Sequence, residues 1–357
     1  YNIPVHYCGQ CPDAQVVAPC LCDSFGINCK SDADIRDVKS LFKQIAANYT
    51  DSWGGKQFMD LGLHSTSLEQ LPEDCLQGLT FSRISIWDAS SLKHIDTNAF
   101  RGTVDKVMSV VLWDSPLLDS SNLFDILNQF LNVQQISVGD CNIQSIPDRA
   151  FVGLSKLTEL VLFGQTIKTI GRQPFSELPV LERLYIFQTS ISYIDSNVFV
   201  FNDNFTTNDD NKQLPLPPLT LGLFKNGQLG GSCFNQDTFL NVFKHRPVNI
   251  DFGGKVYGGI YTDPNQITYL AEVVFQGFLL ANPLNIITLY KQQFNCDDCR
   301  NYWLHKQQKL LKQLVDLNCA NAEQVCLAVL IVVNSGPDAN WYVLLCDLCP
   351  SDCPDIG

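Results

Sequence analysis

Trp87-Asp88 and Trp113-Asp114 each follow an apolar, variable, apolar triplet: Ile84-Ser85-Ile86 in the first case and Val110-Val111-Leu112 in the second. Looser copies end at Phe163, after Leu160-Val161-Leu162, and at Phe187, after Leu184-Tyr185-Ile186. If each triplet is a strand, its two aliphatic residues point one way, and the residue between them and the residue after them point the other. The column after the triplets reads His64, Trp87, Trp113, Gly139, Phe163, Phe187, Phe224, with Tyr185 in the column between the aliphatics. Asp88, Asp114 and Asp140 stand one residue further on. A row of exposed rings on the concave face of a curved sheet marks a surface for an aromatic, apolar or protein ligand. Carboxylates at strand spacing could bind a cation or meet basic side chains on a partner. The plainer readings are rings that stack only to stiffen a sheet, or lie under a loop, and aspartates that bond backbone where strands end. Gly139 breaks the row and predicts a notch between two aromatic pairs.

Catalytic chemistry finds little to work with. The five histidines, His6, His64, His94, His245 and His305, share no spacing that would chelate a metal. No nucleophile elbow and no phosphate-cradling glycine loop occurs, and Gly230-Gly231 and Gly253-Gly254 read as turns. Cys296-x-x-Cys299 and Cys346-x-x-Cys349 could hold zinc, but the cysteine usage favours bridges. The expectation is a binding protein without cofactor or metal.

What must position the rings is a repeat. The aliphatic pairs Leu61/Leu63, Ile84/Ile86, Val110/Leu112, Ile136/Val138, Leu160/Leu162 and Leu184/Ile186 recur about every two dozen residues. Each is followed by an anchor, read as Leu68, Leu92, Leu117, Ile143, Ile167 and Ile191. A second half-pattern follows, as in Leu71 to Leu76, Ile95 to Phe100, Ile146 to Phe151, Ile170 to Phe175 and Ile194 to Phe199. In the Val110 unit, Leu123, Phe124, Leu127 and Phe130 have helical spacing instead. An L-x-L core at this period is the signature of the leucine-rich repeat, in which no unit buries its own edge and stacking supplies the core. Leu221/Leu223, Ile250/Phe252 and Ile287/Leu289 extend the count to about nine rungs of a curved parallel sheet. The fold class is therefore an α/β leucine-rich repeat solenoid with disulfide-bonded caps. Its expected domains are an N-terminal cysteine-rich cap plus helix at 1–50, repeats at 51–294 with a Pro-rich excursion at 202–218, and a C-terminal cap at 295–357.

The caps rest on cysteine placement. Of 15 cysteines, five lie between Cys8 and Cys29 and seven between Cys296 and Cys353. The cap cysteines are read as Cys11, Cys20, Cys22, Cys29, Cys296, Cys299, Cys319, Cys326, Cys346 and Cys349, with Cys11–Cys22 and Cys20–Cys29 the preferred pairs, although spacing alone does not fix connectivity. Cys141 occupies the repeat position that takes Asn or Cys. An odd total leaves a thiol free or bridged to a second chain, with Cys75, Cys233, Cys8 and Cys353 as its candidates. Ser31 and Asp34 open a helical run with an apolar face of Ile35, Val38, Leu41, Phe42 and Ile45, placed to cover the first repeat. In the far cap, Leu304, Leu310, Leu311, Leu314 and Leu317 predict a helix. Sequons at Asn48 and Asn204, disulfide caps and a start at Tyr1 that reads as a processed form point to secretion. The net charge of −13 disfavours nucleic acid and anionic membrane and suits a cationic partner. The apolar run at Cys326 to Val333 is too short for a transmembrane span.

The Cys-Pro … Cys-x-Cys … Cys start and the Asn-Cys-x-x-Cys … Trp-Leu near the end resemble the caps of extracellular leucine-rich repeat proteins. One departure is the two residues, Asp297 and Asp298, between the first two cysteines of the far cap, where the familiar pattern has one. With Cys11-Pro12 … Pro19-Cys20-Leu21-Cys22 and aromatic-rich repeats, the chain is similar to the arthropod family of the non-catalytic subunit of decapod shrimp luciferase. That resemblance implies non-enzymatic partnering, with chemistry carried by another chain. The residues and the resemblance together predict a secreted interaction or stabilising subunit of an extracellular complex. A carrier of an apolar or conjugated small molecule and a recognition protein of innate immunity are the alternatives.

Overall fold

A computed structural model describes residues 11–30, 35, 37–49, 56–64, 67–201, 217–240, 242, 246–253, 265–296 and 298–319. The chain is a leucine-rich repeat solenoid that divides into two compact units. The first comprises Tyr1–Gln144, Ala150–Thr166 and Glu177–Leu181; the second comprises Ser145–Arg149, Ile167–Ser176 and Glu182–Gly357.

In the first unit the strands Gly26–Cys29, Gln57–Leu63, Thr80–Ile86, Ser109–Trp113, Gln135–Gly139 and Glu159–Phe163 run parallel, and Leu21–Cys22 pairs antiparallel at the cap end. Register follows the aliphatic pairs. Leu61, Ile84, Val110, Ile136 and Leu160 stand side by side, as do Leu63, Ile86, Leu112, Val138 and Leu162. All ten are buried. A one-residue slip would turn every one of them to the opposite face, so the apolar alternation holds the register. The cap itself supplies the first rung, Ile27 beside Leu61, and is stapled by Cys11–Cys22 and Cys20–Cys29.

The cap helix is Val38–Asn48. It starts later than Ser31 and Asp34 predicted, because Asp37 is its N-cap and accepts from the Ser40 amide at 2.9 Å. Val38, Leu41, Phe42 and Ile45 form its buried face, and Phe42 meets Phe81 edge-on at 6.3 Å. The helix expected in the Val110 unit spans Leu123–Leu127. One anchor is corrected: Leu117 is 57% exposed and Leu118 is buried. The Leu118 amide donates to the Ser115 carbonyl as the Leu92 amide does to Ala89. The two Trp-Asp repeats thus share a turn one residue longer than the others, which moves the anchor along by one.

In the second unit Arg183–Phe187, Leu219–Gly222, Val248–Asp251, Ile286–Thr288 and Leu314–Val315 are parallel, with Leu184, Leu221, Ile250, Ile287 and Leu314 in register in consecutive pairs. The last of these replaces the long helix predicted from Leu304 to Leu317. The chain there forms a short helix, Tyr302–Lys306, then a 3-10 turn, Gln308–Gln313, before entering the sheet edge. Gln313 explains the change, since its buried amide donates to the carbonyls of Leu279, Asn282 and Asn285 and ties the segment down. Cys296–Cys319 closes this end.

Two buried systems hold the second unit. Phe175, Phe199 and Phe239 stack nearly parallel, at 6.4 Å and 5.8 Å, and Phe239 continues to Phe275 at 5.5 Å. Beside the sheet, Asn226 donates to the Ile186 carbonyl, Asn265 to that of Leu223, and Gln292 to that of Phe252. Each amide satisfies a strand-end carbonyl that would otherwise be buried without a partner. In the first unit Cys141 fills this role, with its thiol 3.3 Å from the Leu112 carbonyl.

Candidate functional site

The open face of the first unit carries His64, Trp87, Trp113, Gly139 and Phe163 on adjacent strands. Trp87 is 41% exposed and rests on His64, with ring centroids 4.0 Å apart. Burial holds the His64 imidazole below its ordinary pKa, against the opposing pull of Asp88 and with a further push from Lys30. The Trp113 indole N–H donates to the Ser137 hydroxyl at 2.9 Å, and its ring meets Phe163 edge-on at 5.8 Å. The notch expected at Gly139 is not there. A Cβ on Gly139 would lie 2.1 Å from the Phe163 ring, so the missing side chain is the space that Phe163 occupies. The glycine joins the two aromatic groups instead of separating them.

The second unit treats its rings differently. Phe187 stacks on Phe224 at 5.0 Å and Tyr185 meets Phe224 at 5.9 Å. Phe224 is 1% exposed and Tyr185 is 7% exposed. Their columns predict rings presented to a ligand; both are instead packing residues, with Tyr185 lying over Gly222, whose Cβ position is 2.3 Å from the Tyr185 ring. Only Phe187 of this group keeps a half-exposed ring.

Asp88, Asp114 and Asp140 have positive φ, at 53°, 51° and 49°. The same turn position is filled by Gly164, Gln188 and Lys225 in later repeats, also at positive φ. Aspartate tolerates this left-handed region better than most residues, so the turn accounts for part of the pattern. It does not account for the charge. Asp140 packs its carboxylate against Gly164, 3.0 Å from where a Cβ would stand. Burial first, and Asp114 second, hold its carboxyl above the ordinary 3.8. The folded chain is therefore penalised once the unfolded chain's Asp140 ionises, and the penalty is complete above the raised value. Asp140→Asn, which keeps a side chain suited to positive φ, is expected to raise the melting temperature at pH 7. The gain should fade as pH drops below the raised value and be gone below the ordinary carboxylate value. A melt that is lowered, or a gain that grows in acid, would contradict this assignment.

The cap cysteines and sequons complete the inventory. Cys299 is disulfide-bonded, and so is Cys296, which leaves neither thiol of that pair for zinc. Cys326, Cys346, Cys349, the Cys8 and Cys353 candidates and Asn204 lie outside the described residues. Asn48 is exposed near the end of the cap helix, with its amide donating to the Gln44 carbonyl. Cys75 and Cys141 are buried thiols, each pushed up to about 12 by burial, so neither can reach another chain. Cys233 is half-buried and donates to the Gln228 carbonyl. Sequence reasoning missed the amide column, although Leu221-x-Leu223-x-x-Asn226 and Ile287-x-Leu289-x-x-Gln292 carry its spacing. Two shallow depressions of about 320 and 430 Å³ lie in the second unit, on a polar floor of Asp148, Arg172 and Asn197. No helix among the described residues is long and apolar enough to cross a membrane.

Residues 132–191 match the leucine rich repeat family model. The chain is 25% identical over 320 residues, 85% of its own length and 81% of the relative's, to the Oplophorus-luciferin 2-monooxygenase non-catalytic subunit of Oplophorus gracilirostris. The solved TLR13–ssRNA13 complex is similar at 12% identity and a TM-score of 0.24, over 79% of this chain and 57% of that one. This chain thus spans little more than half of that protein's length, and the likeness is too slight to bear on function.

Proposed function

We propose that this protein is a secreted, non-enzymatic binding subunit whose aromatic face engages another protein chain in an extracellular complex. The observation that carries the reading is Trp87, 41% exposed on a sheet face yet braced by His64 at 4.0 Å. Large rings held in place by neighbours lose little freedom on binding, which is why tryptophan dominates interface hot spots. Trp113 and Phe163 extend the same surface in a fixed edge-on pair. Similarity to a subunit whose name marks it as non-catalytic supports a partnering role. The bridges Cys11–Cys22, Cys20–Cys29 and Cys296–Cys319 support an oxidising compartment.

A protein partner is preferred to a small apolar ligand for a geometric reason. Small ligands are held in concave pockets that cover most of their surface. Here the glycine positions that might have opened such a pocket, Gly139 and Gly222, are filled by Phe163 and Tyr185. Native mass spectrometry of the protein purified from its source, with an absorption spectrum of the same sample, tests the choice. A stoichiometric added protein mass is expected; a bound chromophore or lipid at unit occupancy would overturn the reading.

A further inference from the structure

We infer that the chain seated on the aromatic face of the first unit presents a basic segment, with arginine or lysine stems against Trp87 and Trp113 and their charged heads toward Asp88, Asp114 and Asp140. The inference rests on the proposed binding role and names the chemistry of its partner.

Charge is the argument. Among the described residues, the ion pairs near this face are Arg83 with Asp60, at 3.5 Å, and none that involves Asp88, Asp114 or Asp140. Among the described residues, burial holds the His64 imidazole toward its neutral form, Asp88 and Lys30 also act on it, and Arg83 is engaged by Asp60. Asp114 therefore repels Asp140 with no ion pair to either among the described residues, and Asp140 is half-buried against Gly164. Partly buried like charges are costly to keep when a turn needs only positive φ, a need that Gly164, Gln188 and Lys225 meet elsewhere without a carboxylate. A cation from outside would relieve the repulsion. Among the described residues no cluster of ligands fit for a metal ion is present, so the cation is taken to be a side chain. Indole faces complete the match, because guanidinium and ammonium groups are attracted to them and their methylene stems cover apolar surface.

The test must separate this chemistry from the general attraction of a chain with net charge −13. Random displayed dodecapeptides would be selected on the full-length wild-type protein and counter-selected on Trp87→Ala/Trp113→Ala, which has the same charge. Circular dichroism melts and the paired variant Trp87→Phe/Trp113→Phe control for folding. Arginine plus lysine should rise about threefold over the library frequency in peptides that need the tryptophans. Asp114→Asn/Asp140→Asn should weaken those peptides about tenfold, an effect lost at high salt. Tryptophan-dependent peptides that are neutral or acidic, or that ignore the aspartate change, would overturn the basic partner and leave the aromatic face standing. Failure to recover any tryptophan-dependent peptide, with all variants folded, would overturn both.

Discussion

Trp87→Ala combined with Trp113→Ala should cut affinity for the native partner by a hundredfold or more while leaving the protein folded. Each indole at a protein interface is worth about 2 kcal/mol or more, or about thirtyfold in affinity, when it acts as a hot spot. The cost to folding is smaller. Trp87 is 41% exposed and already in contact with solvent. Trp113 loses one hydrogen bond, to Ser137, and one edge contact, to Phe163; together these are worth about 1–2 kcal/mol. The aliphatic rungs beneath, Ile84/Ile86 and Val110/Leu112, are untouched. Titration calorimetry with the co-purifying chain and a circular-dichroism melt measure the two effects separately. Unchanged affinity in a folded double variant would remove the aromatic face from the function. Trp113→Phe removes the bond to Ser137 while keeping a smaller aromatic ring at the position, so its loss should be the lesser one.

The second large effect is on stability. Phe199→Ala is expected to destabilise the second unit by about 3–5 kcal/mol, the usual cost of emptying a buried aromatic site. Phe199 is fully buried between Phe175 and Phe239, with both ring pairs within 13° of parallel. Removing the middle ring leaves two faces without a neighbour, and the repeats on either side cannot collapse without breaking strand register. Stability in such an array is a sum of unit and neighbour terms, so the loss should also lower cooperativity. Urea denaturation followed by near-ultraviolet circular dichroism reads both. A change under 1 kcal/mol would mean that this stack is not where the second unit is held together.

The repeats were legible because a parallel stack imposes one requirement many times over. Each strand must bury apolar residues on one side, and nine such pairs from Leu61/Leu63 to Ile287/Leu289 recur in the chain, each with its first member on a strand and both members buried. The error at Leu117 shows the limit of reading by period. A turn longer by one residue put Leu118 inside, as its burial and its hydrogen bond to Ser115 show. The far-cap helix failed for a similar reason. The leucine spacing after Leu304 suited a helix, but one buried amide, that of Gln313, and a free sheet edge decided otherwise.

The candidate face divides along the same line. That the column after each triplet points away from the core follows from strand alternation, which depends only on neighbours in the chain. Whether a ring in that column is exposed depends on what the next strand places beside it. Trp87 is open, with His64 as its ring neighbour among the described residues; Phe224 is closed because Phe187 and Tyr185 both lean on it. Gly139 read as a gap and became a seat for Phe163, since a missing side chain is space for whichever neighbour can reach it. Asp88, Asp114 and Asp140 looked like a charge row and also proved to be turn residues, a fact set by φ and not by composition. Local alternation and period thus determined the solenoid and the direction of every side chain on its strands. The accessible area, the crowding of like charges and the shape of the face arose only when residues about two dozen positions apart were brought side by side, because packing is a property of pairs that the linear order does not contain.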